Sequence, residues 1–223
     1  MPSEITNLIS INEKPITIIF GRPGAGKSSI ASRVYSLLNG EHEERKLSVC
    51  HYLDLDDYVP QWMKDNFSVG IYPSLNQRIE FAHEACKHVH ETLQKSTIDL
   101  TDCKLQHHIL ISFSFVNQDL REIFRSKFPS ALWILVDTPE EEAERRIACR
   151  QGHFYHGAPR KFNPKSKVQN NHDFSCSDEE WKFYPVTFPH IALNGMNPIE
   201  DNSKKVVATL LGRKQMLHMV NMS

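Results

Sequence analysis

The sequence has no apolar run long enough to cross a membrane, no pair of cysteines at metal-site spacing and no surplus of either charge. Each gap removes a class of function. A membrane-spanning helix needs about 20 consecutive apolar residues, so an integral membrane protein is not expected. The cysteines, Cys50, Cys86, Cys103, Cys149 and Cys176, are odd in number and form no C-x-x-C. That speaks against a disulfide framework or a zinc module and fits a reducing compartment. Lys+Arg 26 against Asp+Glu 27 leaves a formal net charge of -1, so there is no global basic field to gather nucleic acid or anionic lipid. A small-molecule partner is expected instead. The first residues, MPSEITNLISINEKP, lack both the layout of a secretory leader and the arginines of a transit peptide. A cytoplasmic protein, monomer or homodimer, is the expectation. The D-x-x-G and N-K-x-D segments that a GTPase needs are missing as well.

What is present is concentrated in one turn. TIIFGRPGAGKSSIASRVY, residues 17–35, places a glycine-rich loop between a β-branched apolar run and a helical pattern. GRPGAGKS fits G-x-x-x-x-G-K-[ST] with Gly21, Gly26, Lys27 and Ser28, in the strand-before, helix-after context the pattern requires. A loop built from Gly21, Gly24, Ala25 and Gly26, with Arg22, Pro23 and Ser29 completing it, lets backbone N–H groups converge on a polyphosphate. The helix that follows adds its positive end. Lys27 is placed to reach the β- and γ-phosphates of ATP, and the Ser28 hydroxyl to ligate Mg²⁺.

Strand and helix patterns alternate along the rest of the chain. Apolar runs at 16–20, 47–53, 107–115, 131–136 and 190–194 read as buried strands, and segments at 28–38, 76–94, 117–128, 139–150 and 198–220 carry helical spacing. This predicts a three-layer αβα fold around a parallel sheet, with residues 1–223 as one domain large enough to bury its own core. In VDTPEEEAERR the expectation is a capping box, with Thr138 as N-cap, Pro139 at the first helical position and Glu141 closing it. Asp137 in the same stretch reads as a helix start, the alternative being a metal ligand at a strand end. Residues from about 151 to 185 have no apolar period and many Lys, Arg, His, Asn and Pro residues. They read either as a solvated insertion or as a lid over a bound nucleotide, and the neighbouring Arg146 and Arg150 favour the lid.

Other residues suit phosphoryl transfer. YLDLDDY puts Asp54 and Asp56 at the carboxyl end of the second strand, where ligands sit in open parallel sheets. If the strand persists they point the same way, one to orient Mg²⁺ waters and one to take an acceptor proton. The bland alternative is a polar loop with acidic caps. Arg146 and Arg150, four apart on one predicted helix, can clamp a transferring phosphoryl group or simply pair with Glu142 or Glu144. Arg78 either meets an acceptor or is a solvated helix residue. His83, Cys86 and His90 share a helix face but lack a second ligand pair, and His107 and His108 open a strand. The aromatics Phe154, Tyr155, Phe174, Trp181, Phe183 and Tyr184 either stack on a base or pin the insertion to the core.

The block ISFSFVNQDLREIFRSKFPSALWILVDTPEEEAERRIACRQGHF, together with GRPGAGKSS and YLDLDD in register, resembles the small gluconate kinases. The layout recurs more loosely in shikimate and adenylate kinases. The resemblance implies a P-loop fold of the nucleoside-monophosphate-kinase kind, with sheet order 2-3-1-4-5. It implies that Gly21 to Ser29 bind ATP, that Asp54 and Asp56 serve Mg²⁺ and acceptor, that Arg146 and Arg150 are lid arginines, and that His153 and Phe154 belong to a GHF lid motif. Ser114 matches a retained serine after the third strand, but Asn117 stands where those kinases carry lysine. The acidic run before Arg78 is reduced to PSLNQR, and the insertion differs. These departures point away from gluconate toward another sugar acid, polyol or similar metabolite. A nucleoside monophosphate kinase, a polynucleotide 5'-hydroxyl kinase and a non-catalytic nucleotide-binding module are the alternatives. The acids disfavour the first and the near-neutral charge the second.

Overall fold

The structure, a computed structural model, describes residues 15–40, 48–98, 106–155 and 182–220. Five strands, β1 (Ile16–Phe20), β2 (Ser48–Asp54), β3 (Gln106–Phe113), β4 (Leu132–Asp137) and β5 (Ile191–Asn194), form one parallel sheet in the order β2-β3-β1-β4-β5. The helices are α1 (Lys27–Asn39), α2 (Gln61–Ser68), α3 (Leu75–Ile98), α4 (Gln118–Lys127), α5 (Glu140–Ala148) and α6 (Ile199–Val220). The expected strand order and the alternation of elements are both found.

Alternation along the central strand produces the layers. Ile16, Ile18 and Phe20 of β1 face a core shared with Met63 of α2, Phe81 and Val89 of α3 and Phe124 of α4. Ile19 faces the other way, toward Ile30 and Val34 of α1 and Val206 and Leu210 of α6. Side chains of period two therefore bury both faces of the sheet, which is why the strands read as continuous apolar runs. Cys86 is buried in the first core, and the His90 ring lies 5.0 Å from Phe128, so these two positions serve packing. Among the described residues no helix is long and apolar enough to cross a membrane.

Two local expectations need correction. The Thr138 capping box does not form. The cap of α5 is Pro139, and the Thr138 hydroxyl instead donates to the Ala25 carbonyl 3.3 Å away. Thr138 is buried against the phosphate loop, so that tertiary acceptor wins over the local one. A reciprocal pair does open α3, where Ser74 N–H donates to Gln77 Oε1 (2.8 Å) and Gln77 N–H to Ser74 Oγ (3.4 Å). The second correction is α2, which has no counterpart in the predicted elements. At eight residues it is too short for a periodic signal, and only Met63 is fully buried.

Candidate active site

The turn after β1 is held open by glycine. Gly24 has φ +79, and a Cβ there would strike the Ala143 carbonyl oxygen of α5. Gly26, also at positive φ, caps α1, whose first residue is Lys27. Lys27 is only 6% exposed and donates from Nζ to the Arg22 carbonyl at 3.0 Å. Burial lowers its pKa to about 8 against the opposing pull of Asp56 and Asp54, while Arg150 lowers it further. The ammonium thus rests on a weak acceptor, beside carboxylates, in a site that rewards an arriving anion. Arg22 pairs with Glu140 at 3.2 Å on the outer side of the loop.

β2 ends at Asp54, and a turn follows, so Asp54 and Asp56 do not share one extended face as the sequence suggested. Asp56 N–H donates to Asp54 Oδ1 at 3.2 Å, which turns the Asp56 side chain toward the loop. Asp54 is held by Tyr52, whose hydroxyl donates to Oδ2 at 3.1 Å and lies 2.9 Å from Ser112 Oγ. Burial raises the Tyr52 pKa, keeping the proton that this bond needs. Ser112 Oγ is 3.5 Å from Ser28 Oγ. A chain of oxygens therefore links Ser28 to Asp54 through Ser112 and Tyr52. Of these, the Ser28 hydroxyl and the Asp54 carboxylate are hard-oxygen groups of the kind Mg²⁺ prefers. Ser112 and Tyr52 escaped sequence reasoning because only the β2–β3 register, Asp54 opposite Ser112, brings them together.

Arg146 combines both readings offered by the sequence. Its Nε donates to Glu142 Oε1 at 2.7 Å, and its other nitrogens reach the Ala25 carbonyl (3.4 Å) and the Gly195 carbonyl (3.1 Å). Arg145 and Arg146 together hold the Glu142 carboxyl down to about 2. Arg150 lies beyond α5, which ends at Ala148, so it is not on the predicted helix face. It is exposed and still borders the same space.

That space is a cavity of about 270 Å³. At one end are Pro23, Gly24, Gly26, Lys27, Ser28 and Ser29, with Arg146 and Arg150; at the other are Arg78 and Ser114, with Asp56 and His153 between. Gly21, Arg22, Ala25 and Asp54 shape the site from behind and do not line it. Arg78 is buried, with Nε donating to Asp119 Oδ2 (3.1 Å) and Nη1 to the Pro73 carbonyl (3.1 Å). His153 Nδ1 accepts from Tyr155 N–H at 3.0 Å, and its Nε2 lies 3.6 Å from Asp56 Oδ2, too long for a hydrogen bond.

The remaining wall is apolar. Phe81 and Phe113 meet at 5.4 Å, Phe113 and Phe115 at 5.3 Å, and Phe67 and Phe154 at 5.8 Å. Phe115 takes a positive φ of 45, uncommon for a bulky residue. Arg121, only 2% exposed, fixes it by donating from Nε to the Phe115 carbonyl at 2.7 Å. The same guanidinium donates to the carbonyls of Tyr184 (2.8 Å) and Pro185 (3.2 Å) and lies 4.5 Å from the Phe183 ring. Phe154, Tyr155 and Phe183 thus pin the two described ends of the insertion. Phe174, Trp181 and most of the expected lid lie outside the described residues. Sequence reasoning found neither Arg121 nor the Phe67, Phe81, Phe113 and Phe115 wall, since apolar spacing marks core and pocket alike.

No protein-family model matches the sequence, and no curated protein matches it. Solved structures match its fold. A sugar kinase from Janibacter sp. HTCC2649 is similar with a TM-score of 0.60 at 16% identity, over 88% of this chain and 94% of that one. A gluconokinase from Sinorhizobium meliloti 1021 reaches 0.55 at 14% identity, over 92% and 96%. The APS kinase CysC of Mycobacterium tuberculosis, solved with AMPPNP and APS, reaches 0.53 at 20% identity, over 88% and 97%. At such identities the likeness is one of fold, and the fold is that of the P-loop kinases.

Proposed function

We propose that this protein transfers the γ-phosphoryl group of ATP to a hydroxyl of a small molecule. The observation that carries the reading is a cavity with a glycine-rich loop and two arginines at one end, an apolar wall at the other and a carboxylate between them. In the transfer, the acceptor oxygen forms a bond to the γ-phosphorus and the bond to the β–γ bridging oxygen breaks, releasing ADP. The hydroxyl proton passes to an oxygen of Asp56. Lys27, freed from the Arg22 carbonyl, takes the β- and γ-phosphate oxygens, with Arg146 and Arg150 holding the γ-phosphoryl charge. Ser28 would hold Mg²⁺, with Asp54 kept in place by Tyr52 to bind its waters; the ion would supply charge neutralisation at the phosphates. Arg78, Ser114 and His153 form the rest of the acceptor side in this reading.

The chain is read as one kinase domain over 1–223, with residues from about 151 to 185 inserted as a cover for the cavity. His153, Phe154 and Tyr155 at the edge of the insertion line that cavity, which supports the reading. Sugar acids, polyols and similar metabolites are the acceptors that the resemblance implies. The test is ADP release from Mg·ATP against a panel of sugar acids, polyols, shikimate-like acids, simple alcohols and nucleoside monophosphates. An alcohol that raises release well above background supports the proposal. Stimulation by nucleoside monophosphates alone, or ATP binding with no stimulation by any acceptor, contradicts it.

A further inference from the structure

We infer that the acceptor is a neutral alcohol whose reacting hydroxyl stands on an apolar, ring-bearing body, a narrower class than the kinase reading on which this inference rests. The cavity is polar along the glycine-rich loop, and among the described residues its far side adds Arg78, Ser114, Asn117 and Tyr155 to a mostly apolar lining. Asp56 and His153 sit where the phosphate loop meets the acceptor side, and beyond them the wall is built largely from Met63, Phe67, Phe81, Phe113, Phe115 and Phe154. A polyol placed there would turn several hydroxyls against rings and a thioether. Each hydroxyl left without a partner weakens binding. A body with one hydroxyl at the Asp56 end loses nothing in that way and gains the burial of its apolar face.

The charge pattern agrees. A sugar acid brings a carboxylate that needs a cation, and the acceptor side offers Arg78. That guanidinium already faces Asp119 at 3.1 Å, with both side chains largely withdrawn from water. Its charge is balanced in place. Among the described residues the other cations bordering the cavity, Lys27, Arg146 and Arg150, stand at the phosphate end. The wall is also a built one. Its rings meet at edge or tilted angles, and Phe115 is held at a positive φ by the Arg121 bond to its carbonyl. Rings locked in this way present a preformed slot for a flat apolar group, whose ordering cost is small.

The experiment uses the full chain with benzyl alcohol and 2-phenylethanol as apolar probes, and gluconate and sorbitol as polar ones. Binding is read by ligand-observed NMR without nucleotide, and turnover with Mg·ATP by the phosphomonoester signal in ³¹P NMR. The expected result is saturable binding of the aromatic alcohols and a kcat/KM for them at least about tenfold above that for gluconate or sorbitol. Phe67→Asp should raise KM for the aromatic alcohols by about tenfold, and Phe67→Leu should restore most of it. Phe67 is half-buried, so both variants are expected to fold. Turnover of gluconate or sorbitol without turnover of the aromatic alcohols overturns this inference and leaves the kinase reading standing. Bound Mg·ATP with no phosphomonoester from either set overturns this inference, and silence across the whole acceptor panel overturns the kinase reading as well.

Discussion

The two ends of the cavity are built in different ways. The phosphate end comes from one continuous stretch, Gly21 to Ser29, whose backbone is shaped by glycines and braced by Thr138 and Arg146 on the Ala25 carbonyl. The acceptor end is assembled from α2, α3, the turn after β3 and the start of the insertion, and it is held by side chains far apart in sequence. Local backbone conformation makes a site that can be read as a string of letters, whereas tertiary packing makes one that cannot.

Substitutions can separate the two ends. The largest effect is expected at Lys27. Lys27→Ala removes the only buried ammonium among the described residues that line the cavity, and ATP turnover should fall by more than about 10³-fold with weakened nucleotide binding. Asp56→Asn probes the junction. It should lower kcat by about 10²–10⁴-fold and leave nucleotide affinity, measured by titration calorimetry, nearly unchanged. Wild-type turnover in that variant would remove Asp56 from the role of base.

Arg121→Leu tests the acceptor end alone. It leaves the carbonyls of Phe115, Tyr184 and Pro185 without their buried donor, and the expected loss is about 2–4 kcal/mol of stability in urea denaturation. In the surviving folded fraction, nucleotide should still bind, because no bond of Arg121 reaches the phosphate loop. An equal loss at both ends would mean that they are not separable.

The smallest effect expected is pH dependence at the phosphate end. The Lys27 pKa in the folded protein is about 8, below its ordinary value, so the folded state binds fewer protons than the unfolded one as pH rises through and above 8. The contribution of Lys27 to stability therefore increases with pH across that window. Phosphate needs the ammonium, so ATP affinity should fall over the same window, by up to about tenfold per pH unit. A flat affinity profile between pH 7 and 9.5 would show that Lys27 stays charged in the free protein.

The sequence disclosed the sheet, its order through the resemblance, and nearly all of the phosphate end. It did so because a parallel strand buried on both faces and a glycine-rich turn each carry their own local signal. The sequence put Asp54 and Asp56 on one strand face, but β2 stops at Asp54 and Asp56 borders the cavity from the turn that follows. Thr138 was assigned to a helix cap because its neighbours fit one; the Ala25 carbonyl, 113 positions away in the chain, took the bond. Tyr52 and Ser112 had no motif at all, and only strand register joins them to Ser28 and Asp54. Arg121 looked like any helix arginine, and its burial follows from the fold of a segment more than sixty positions away.

The most direct test of the central claim, that one cavity joins a phosphoryl donor to an acceptor hydroxyl, is ³¹P NMR of the protein turning over Mg·ATP with the best acceptor from the panel. The account expects a phosphomonoester resonance growing in step with ADP, lost in Asp56→Asn. Inorganic phosphate growing in step with ADP, with no phosphomonoester, would contradict it and mark a nucleotide hydrolase or switch.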